Sequence, residues 1–142
     1  MHRLLARYYG KHNLYPAKDT TGAASRLVDY FAGDLDAVNN LVVEMNGTSF
    51  QRVVWKALRT IPVGTTTSYG EIALQIGRPK ACRAVGLANG SNPVAIVIPC
   101  HRVIGANQGL TGYGGGLERK QWLLEHEGIT PKRPAASSAR VR

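Results

Sequence analysis

The sequence is 142 residues long, 44% hydrophobic and 19% charged, which predicts one compact domain and excludes a chain that is disordered throughout. Its 18 Lys and Arg residues outnumber 9 Asp and Glu residues, and the formal net charge of +9 favours nucleic acid as a partner ahead of an anionic membrane surface. The longest aliphatic run, residues 94–98, is too short for a transmembrane helix, and residues 1–7 lack the apolar core of a signal peptide. Two cysteines are too few for a disulfide framework, so we expect a cytoplasmic protein.

The first part of the chain carries weak signals for secondary structure. Residues 1–24 show no clean period. Ser25 is placed to cap a short helix that Gly33 ends, because serine is favoured at the N-cap and glycine just after a helix. Residues 41–45, Leu-Val-Val-Glu-Met, predict a strand.

The signals sharpen from Thr48 onward. Thr48 and Gln51 have the spacing of a capping box, which predicts the start of a helix. Pro62 and Gly64 then mark its end. Apolar residues recur at helical spacing on one face, which we expect to be buried: Phe50, Val53, Val54, Ala57, Leu58 and Ile61.

Two shorter helices are predicted next. Ser68 and Glu71 form a second capping box, and Gly77 follows the helix that they open. The residues expected inside this helix are Ile72, Ala73 and Ile76. The following helix is predicted to begin at Pro79, which suits the first helical position, and to end at Gly90.

The tight connection between these two helices is typical of a helix-turn-helix, although many plain helical hairpins share the pattern. A small apolar face of the later helix consists of Ala81, Ala84, Val85 and Ala88. A different face, which carries Lys80, Arg83 and Leu87, is basic and can enter a groove of DNA.

Residues 94–98 predict a buried strand that leads into Pro-Cys-His-Arg-Val at residues 99–103. A glycine-rich loop follows at residues 112–116, and it lacks the Gly-Lys-Ser/Thr ending of a nucleotide P-loop. The last helix is predicted from Leu117 to Glu127, with Gly128 after it. Residues 129–142 contain two prolines and no aromatic residue, which predicts a disordered basic tail.

Cys100 is the candidate reactive residue. Nearby cationic groups lower the pKa of a thiol, so either His101 takes the thiol proton, directly or through water, or Arg102 stabilises the thiolate. The alternative is a buried structural cysteine. Cys82 has no neighbouring histidine, and we interpret it as a packing residue. The histidines and cysteines have no metal-ligand spacing, so neither a metal nor a cofactor is expected.

A series of motifs resembles one known family, the O6-alkylguanine-DNA alkyltransferases, also called methylated-DNA–protein-cysteine methyltransferases. The motifs are Ile-Pro-Val-Gly-Thr at 61–65, Ser-Tyr-Gly-Glu at 68–71, Arg-Ala-Val-Gly at 83–86, Asn-Pro at 92–93, Ile-Pro-Cys-His-Arg-Val at 98–103, Gly-Tyr at 112–113 and His-Glu-Gly at 126–128. The resemblance covers about residues 48–128. It implies an α+β fold, mainly helical, with a winged helix-turn-helix and a short strand leading to Cys100, preceded by a truncated N-terminal α/β segment.

The resemblance also implies roles for individual residues. Cys100 would attack the alkyl carbon on guanine O6 and keep the alkyl group permanently. His101 would take the thiol proton through a water, and Glu127 would hold and polarise His101. Asn92 would brace the turn that carries Cys100, and Tyr69 would donate its hydroxyl to guanine N3 as charge develops on the leaving base.

The implied partner is double-stranded DNA carrying O6-alkylguanine, with O4-alkylthymine as a further substrate, and the protein would act as a monomer. The target base must be flipped out of the duplex, with Arg83 filling the vacated stack. Residues implied at the DNA or the base, besides Arg83, are Lys80, Ala84, Gly86 and Ala88 on the helix that enters the minor groove, the carbonyls of Cys100 and Val103, and the backbone N–H groups near Tyr113 and Gly114. Position 114 is Gly where some members of the family have Ser, so no hydroxyl is available there.

The resemblance suggests a division into residues 1–47 as a truncated N-terminal remnant, 48–128 as the active-site domain and 129–142 as the tail. We expect the short N-terminal part to affect stability more than chemistry. Three other functions compete with alkyl transfer: a non-catalytic protein of the same fold that binds alkylated DNA, a thiol hydrolase, and a transcription regulator. Non-catalytic proteins of this fold lack the acceptor cysteine, whereas this chain has Cys100. A thiol hydrolase needs an oxyanion hole. In a transcription regulator the thiol after a buried strand would have no function.

Overall fold

A computed structural model of the chain describes residues 6, 7, 10, 11, 13–19, 21–105 and 113–131. The described helices are α1 (Ala23–Phe31), α2 (Ser49–Leu58), α3 (Tyr69–Gln75), α4 (Cys82–Gly90) and α5 (Leu117–His126). The remaining elements are a 3-10 helix (Cys100–Arg102) and strands β1 (Thr67–Ser68) and β2 (Val103–Ile104). The fold is therefore mixed and mainly helical, as predicted. Most of the predicted tail lies outside the described residues.

Helix α1 begins earlier than predicted. Its N-cap is Gly22, and Ser25 lies inside the helix. Asp19 explains the shift, because one of its carboxylate oxygens accepts hydrogen bonds from both the backbone N–H and the hydroxyl of Ser25, each 2.9 Å long. The helix ends as predicted, before Gly33, whose φ of 118° suits glycine. The strand predicted at residues 41–45 is wrong, since this segment has no regular structure.

Helix α2 confirms the first capping box and most of the predicted face, of which four residues are buried: Val54, Ala57, Leu58 and Ile61. Thr48 Oγ1 accepts from the Gln51 N–H at 3.1 Å, and Gln51 Oε1 accepts from the Thr48 N–H at 2.9 Å. Val53, predicted to be inside, is 45% exposed, whereas Trp55 is fully buried. The indole N–H of Trp55 donates to the carbonyl of Ala88 at 2.8 Å, so packing against α4 rotates the buried face toward the tryptophan.

The second capping box is only half formed. The Ser68 hydroxyl accepts from the Glu71 N–H at 3.1 Å, but the Glu71 carboxylate bonds to the Thr67 hydroxyl instead. Ile72 and Ala73 are buried as predicted. Gly77 follows the helix with φ of 77°, again as predicted.

Helix α4 begins later than predicted. Pro79 and Lys80 lie in a turn, and the first helical residue is Cys82, with Ala81 at the N-cap. On α4, Val85 and Ala88 are buried, whereas Ala84 is exposed. The predicted small apolar face is therefore narrower than expected, and the assignment of Cys82 to packing is wrong because that thiol is exposed.

Residues 94–98 form a tight turn, and the strand predicted there is wrong. The Ile98 N–H donates to the Val94 carbonyl at 3.0 Å, and Ile96 has φ of 74°. A β-branched residue rarely adopts this left-handed conformation, so the surrounding contacts must impose it. Ala95 and Ile98 form a single isolated bridge. The run curls rather than extends, and of its five residues Val97 and Ile98 are buried.

Hydrophobic clusters pack around the segment that carries Cys100. Strands β1 and β2 pair in parallel, with Thr67 opposite Val103. The main cluster joins α2, α3 and α4 to residues around Cys100. A second cluster consists of Tyr30, Val38, Val97 and Leu123, so the N-terminal part packs on α5 and on the 94–98 turn. Among the described residues no helix has both the length and the apolar character needed to cross a membrane.

Candidate active site

Cys100 is the first residue of the 3-10 helix and is 6% exposed. The Cys100 N–H donates to the Ile98 carbonyl at 2.8 Å, and the Cys100 carbonyl accepts from the Val103 N–H. The 94–98 turn and β2 therefore fix the backbone on both sides of the thiol. One of the carbonyls assigned to the guanine amine already accepts a hydrogen bond within the protein.

The electrostatics around this thiol differ from the sequence-based expectation. Burial raises the pKa of the Cys100 thiol, and this effect is only partly offset by a hydrogen bond with Asn92 and by the charge of Lys120. Arg102, the cation proposed next to the thiol, instead bonds to Glu127 and to the Ile61 carbonyl. A proton acceptor is therefore needed to form the thiolate near neutral pH.

Asn92 is buried and spans the turn that precedes Cys100. Its side-chain amide donates to the Ile98 carbonyl at 2.8 Å, and its side-chain oxygen accepts from the Val94 N–H at 2.9 Å. These bonds close the turn from inside, in the segment where Ile96 is held in the left-handed region. The two bonds account for the curled path that the hydrophobic run follows.

Glu127 lies at the C-cap of α5, where its carboxylate is buried. The Gly128 N–H donates to Glu125 and the Ile129 N–H to Leu124, the two bonds that end a helix at a left-handed glycine. These two hydrogen bonds fix the backbone at Glu127. This geometry points the side chain at the 3-10 helix that carries Cys100.

Four hydrogen bonds converge on the Glu127 carboxylate. Oε1 accepts from Arg102 Nε at 2.8 Å. Oε2 accepts from His101 Nε2 at 2.8 Å, from Arg102 Nη2 at 3.0 Å and from the Tyr30 hydroxyl at 2.6 Å. Burial alone raises the pKa of this carboxyl group, but the bonds from His101, Arg102 and Tyr30 outweigh burial and lower it to about 2.

The bond to Glu127 sets the tautomer of His101. Because the ionised carboxylate can only accept, the proton sits on Nε2 and the lone pair is on Nδ1. Nδ1 is buried, and no group among the described residues hydrogen-bonds to it. The imidazole therefore presents a basic nitrogen on the side away from the carboxylate, directly after Cys100 in the chain.

Lys120 is a site residue that the sequence analysis missed. It is fully buried, and its ammonium group donates to the Val103 carbonyl at 2.7 Å. Burial lowers its pKa to about 8, while the nearby Cys100 thiol acts in the opposite direction. A signal existed, because residues 120, 123, 124 and 127 have the spacing of one buried helical face, and a lysine on such a face is unusual.

The remaining predicted residues fall into two groups. Lys80, Arg83, Ala84 and Gly114 are exposed. Tyr69, Gly86 and Tyr113 are half-buried, and a Cβ built on Gly86 would contact the ring of Tyr69 at 3.8 Å. Burial and the proximity of Cys100 raise the pKa of Tyr113 to about 12, which links this residue to the thiol. Ala88 is buried, so its assignment to the DNA contact is wrong.

Replacing Lys120 with methionine should raise the pKa of the Cys100 thiol further, because it removes the charge that partly offsets burial. The thiolate absorbance, followed against pH in a Cys82→Ser background, measures this shift. Lys56→Met, on the exposed side of α2, removes the same charge far from the thiol and should leave the titration unchanged. A Lys120→Met titration identical to that of its parent would mean that Lys120 only holds the Val103 carbonyl.

Comparisons with known proteins give a consistent result. The profile of the family described as 6-O-methylguanine DNA methyltransferase, DNA binding domain, matches residues 49–129. The methylated-DNA–protein-cysteine methyltransferase of Salmonella typhimurium is 53% identical over 131 residues, which cover 90% of this chain and 76% of that protein.

Two solved structures are similar in fold. Mycobacterium tuberculosis OGT in complex with DNA is 59% identical, with a TM-score of 0.70 over 78% of this chain and 68% of that one. The O6-methylguanine-DNA methyltransferase of Pyrococcus kodakaraensis is 29% identical, with a TM-score of 0.76 over 90% of this chain and 75% of that one.

Proposed function

The chain belongs to the 6-O-methylguanine DNA methyltransferase family, and we propose on this basis that Cys100 is its alkyl acceptor. It is a DNA-repair protein that transfers an alkyl group from methylated DNA to a cysteine. Two cysteines are present, and only Cys100 is buried beside a histidine–carboxylate pair. That pairing is the observation that carries the assignment.

In the proposed step, His101 accepts the thiol proton through a water, and the Cys100 thiolate attacks the alkyl carbon on guanine O6. The bond from sulfur to carbon forms while the bond from carbon to O6 breaks, and the electron pair returns to the guanine. The proton that His101 gains makes its ring positive, and the buried, ionised Glu127 stabilises that charge. The thioether is stable, so one protein repairs one lesion.

Two further residues are proposed to assist the reaction. Asn92 holds the turn before Cys100 through its two backbone bonds. Tyr69, half-buried at the start of α3, donates its hydroxyl to guanine N3 and offsets the charge on the departing base. The guanine amine donates to the carbonyls of Cys100 and Val103. Each carbonyl oxygen accepts one hydrogen bond within the protein and keeps a second lone pair for the guanine. Guanine O6 faces the backbone N–H groups near Tyr113 and Gly114.

The helices α3 and α4 are proposed to act as a helix-turn-helix, with α4 in the minor groove. Support comes from the packing of α3 on α4 and from the exposure of Lys80, Arg83 and Ala84. Because the minor groove offers a degenerate pattern of donors and acceptors, this mode of binding suits a protein that must ignore sequence.

Arg83→Ala should slow the repair of duplex DNA by about tenfold or more, because the arginine no longer replaces the flipped base in the stack. Reaction with free O6-methylguanine base should be nearly unchanged, since no stack has to be opened. Single-turnover rates on both substrates measure the difference. Arg52→Ala, which removes one exposed charge from α2, is the control for general attraction to DNA. Equal losses on both substrates would exclude a base-flipping role for Arg83.

The acceptor can be tested directly by intact mass. The protein is mixed with duplex DNA containing O6-methylguanine, and its peptides are mapped. We expect the mass of one methylene group to be added to the Cys100 peptide, saturating at one per protein. No added mass on a folded, DNA-bound protein would favour the non-catalytic alkylated-DNA-binding alternative.

From membership of the same family we also propose domain boundaries at residues 47/48 and 128/129, a monomeric state and a cytoplasmic location. The N-terminal part also contacts the proposed site, because the Tyr30 hydroxyl donates to Glu127.

A further inference from the structure

Tyr30 is bonded to two successive residues at the end of α5. Its hydroxyl donates to Glu127 Oε2 at 2.6 Å, and its backbone carbonyl accepts from His126 Nε2 at 2.7 Å. The side chain is fully buried, and its ring packs edge-on against the His126 ring at 5.1 Å between centroids. One residue of α1 therefore holds two successive side chains, those of His126 and Glu127, at the C-terminal end of α5.

The same carboxylate oxygen serves two partners. Oε2 of Glu127 accepts from the Tyr30 hydroxyl and from His101 Nε2, which is the bond that sets the histidine tautomer. The charged or titratable groups facing the carboxylate are Tyr30 from α1 and His101 and Arg102 from the 3-10 helix. Those facing Tyr30 are Glu127, Arg102 and Tyr113, together with His126, whose ring lies edge-on to it.

We propose that Tyr30 is a positioning residue of the active site, whose hydroxyl holds the Glu127 carboxylate against His101 and limits the negative charge that His101 meets. The proposal rests on the proposed function, because it assigns Tyr30 an effect through the histidine–glutamate pair. It also makes α1 part of the machinery of alkyl transfer.

The expected effect follows from sharing one oxygen between two donors. A hydrogen bond from Tyr30 withdraws electron density from Oε2, so the carboxylate attracts the protonated imidazole less strongly. Without that hydroxyl the carboxylate holds the protonated imidazole more firmly, and we expect the acid limb of the rate profile to move to higher pH. Arg102 keeps the carboxylate in place through its two bonds, so the rate at high pH should change little.

The test is the pH dependence of the single-turnover transfer rate for the full chain with duplex DNA containing O6-methylguanine. Tyr30→Phe should move the acid limb of the profile to higher pH by about half a unit, with a plateau within about threefold of the parent. Tyr15→Phe, an exposed tyrosine, is the matched control and should leave the profile unchanged. A Tyr30→Phe profile that superimposes on the parent would reduce Tyr30 to packing and overturn the proposal.

A second variant distinguishes an effect of the Tyr30 hydroxyl from a defect in packing or folding. Placing 3-fluorotyrosine at position 30 keeps the ring and strengthens the hydroxyl as a donor, so the acid limb should move to lower pH. Shifts of opposite sign are not expected from a packing defect, and a shift in the same direction as Tyr30→Phe would contradict the proposal. If both the Tyr30 variants and Glu127→Gln leave the rate and the pH profile unchanged, the proton relay of the proposed function is wrong. If Glu127→Gln slows the reaction but the Tyr30 variants leave the profile unchanged, only the inference about Tyr30 is wrong.

Discussion

Cys100→Ser is expected to lose all measurable alkyl transfer while the protein still binds duplex DNA with nearly unchanged affinity. A serine hydroxyl is far less acidic than a thiol, so the His101–Glu127 pair cannot convert it into a comparable nucleophile. The side chain is similar in size, so the core around position 100 should keep its packing. Mass analysis after incubation with O6-methylguanine DNA measures transfer, and fluorescence anisotropy at fixed salt measures binding.

Cys82→Ser is the matched control for this experiment. Cys82 is an exposed thiol at the first position of α4, so its replacement changes sulfur to oxygen outside the buried site. It should retain full transfer at one alkyl group per protein. If Cys100→Ser lost DNA binding together with transfer, Cys100 would instead be a structural cysteine.

Glu127→Gln should slow alkyl transfer by about a hundredfold, because a neutral amide does not stabilise the positive imidazole that forms when His101 takes the thiol proton. It should also lower the free energy of unfolding near neutral pH by about 3 kcal/mol, since the pKa of Glu127 falls from an ordinary 4.5 to about 2 on folding. This contribution is fully present above pH 4.5 and is lost as the pH falls toward 2. The stability difference between the two proteins should therefore shrink over that range.

Chemical denaturation at several pH values and single-turnover kinetics measure the two effects. Glu125→Gln offers a matched control, because it changes an exposed carboxylate two residues away on the same helix. It should alter neither the transfer rate nor the acid dependence of stability. A Glu127→Gln protein that transfers alkyl groups at the parental rate would exclude the proton relay, whatever its stability.

Local signals in the sequence predicted the start of α2 and the C-terminal ends of α1, α3 and α5 well. The Thr48 capping box, and the glycines at positions 33, 77 and 128, depend on hydrogen bonds within a few residues, so the sequence alone contains them. Pro79 was misleading because it suits a helix start and a turn equally well. The last helix was predicted to within one residue, since helix periodicity and a terminal glycine agreed there.

Features set by distant contacts could not be predicted in this way. Trp55 is buried because α4 offers the Ala88 carbonyl, 33 residues further along the chain. The 94–98 run curls because Asn92 closes it from inside, whereas hydrophobicity alone fits a strand equally well. In the candidate site, the motifs around Cys100 and the resemblance to a family indicated His101 and Glu127, but neither indicated Tyr30.

The contact between Tyr30 and Glu127 also bears on how the site is assembled during folding. These residues are 97 positions apart, so their hydrogen bond closes a loop that spans most of the chain. Closing such a loop costs configurational entropy, and contacts of this kind are late events in folding. On a ribosome, the acceptor cysteine emerges before α5 and its glutamate do. A nascent or partly folded chain thus carries the thiol and His101 without Glu127, the residue that stabilises the protonated histidine.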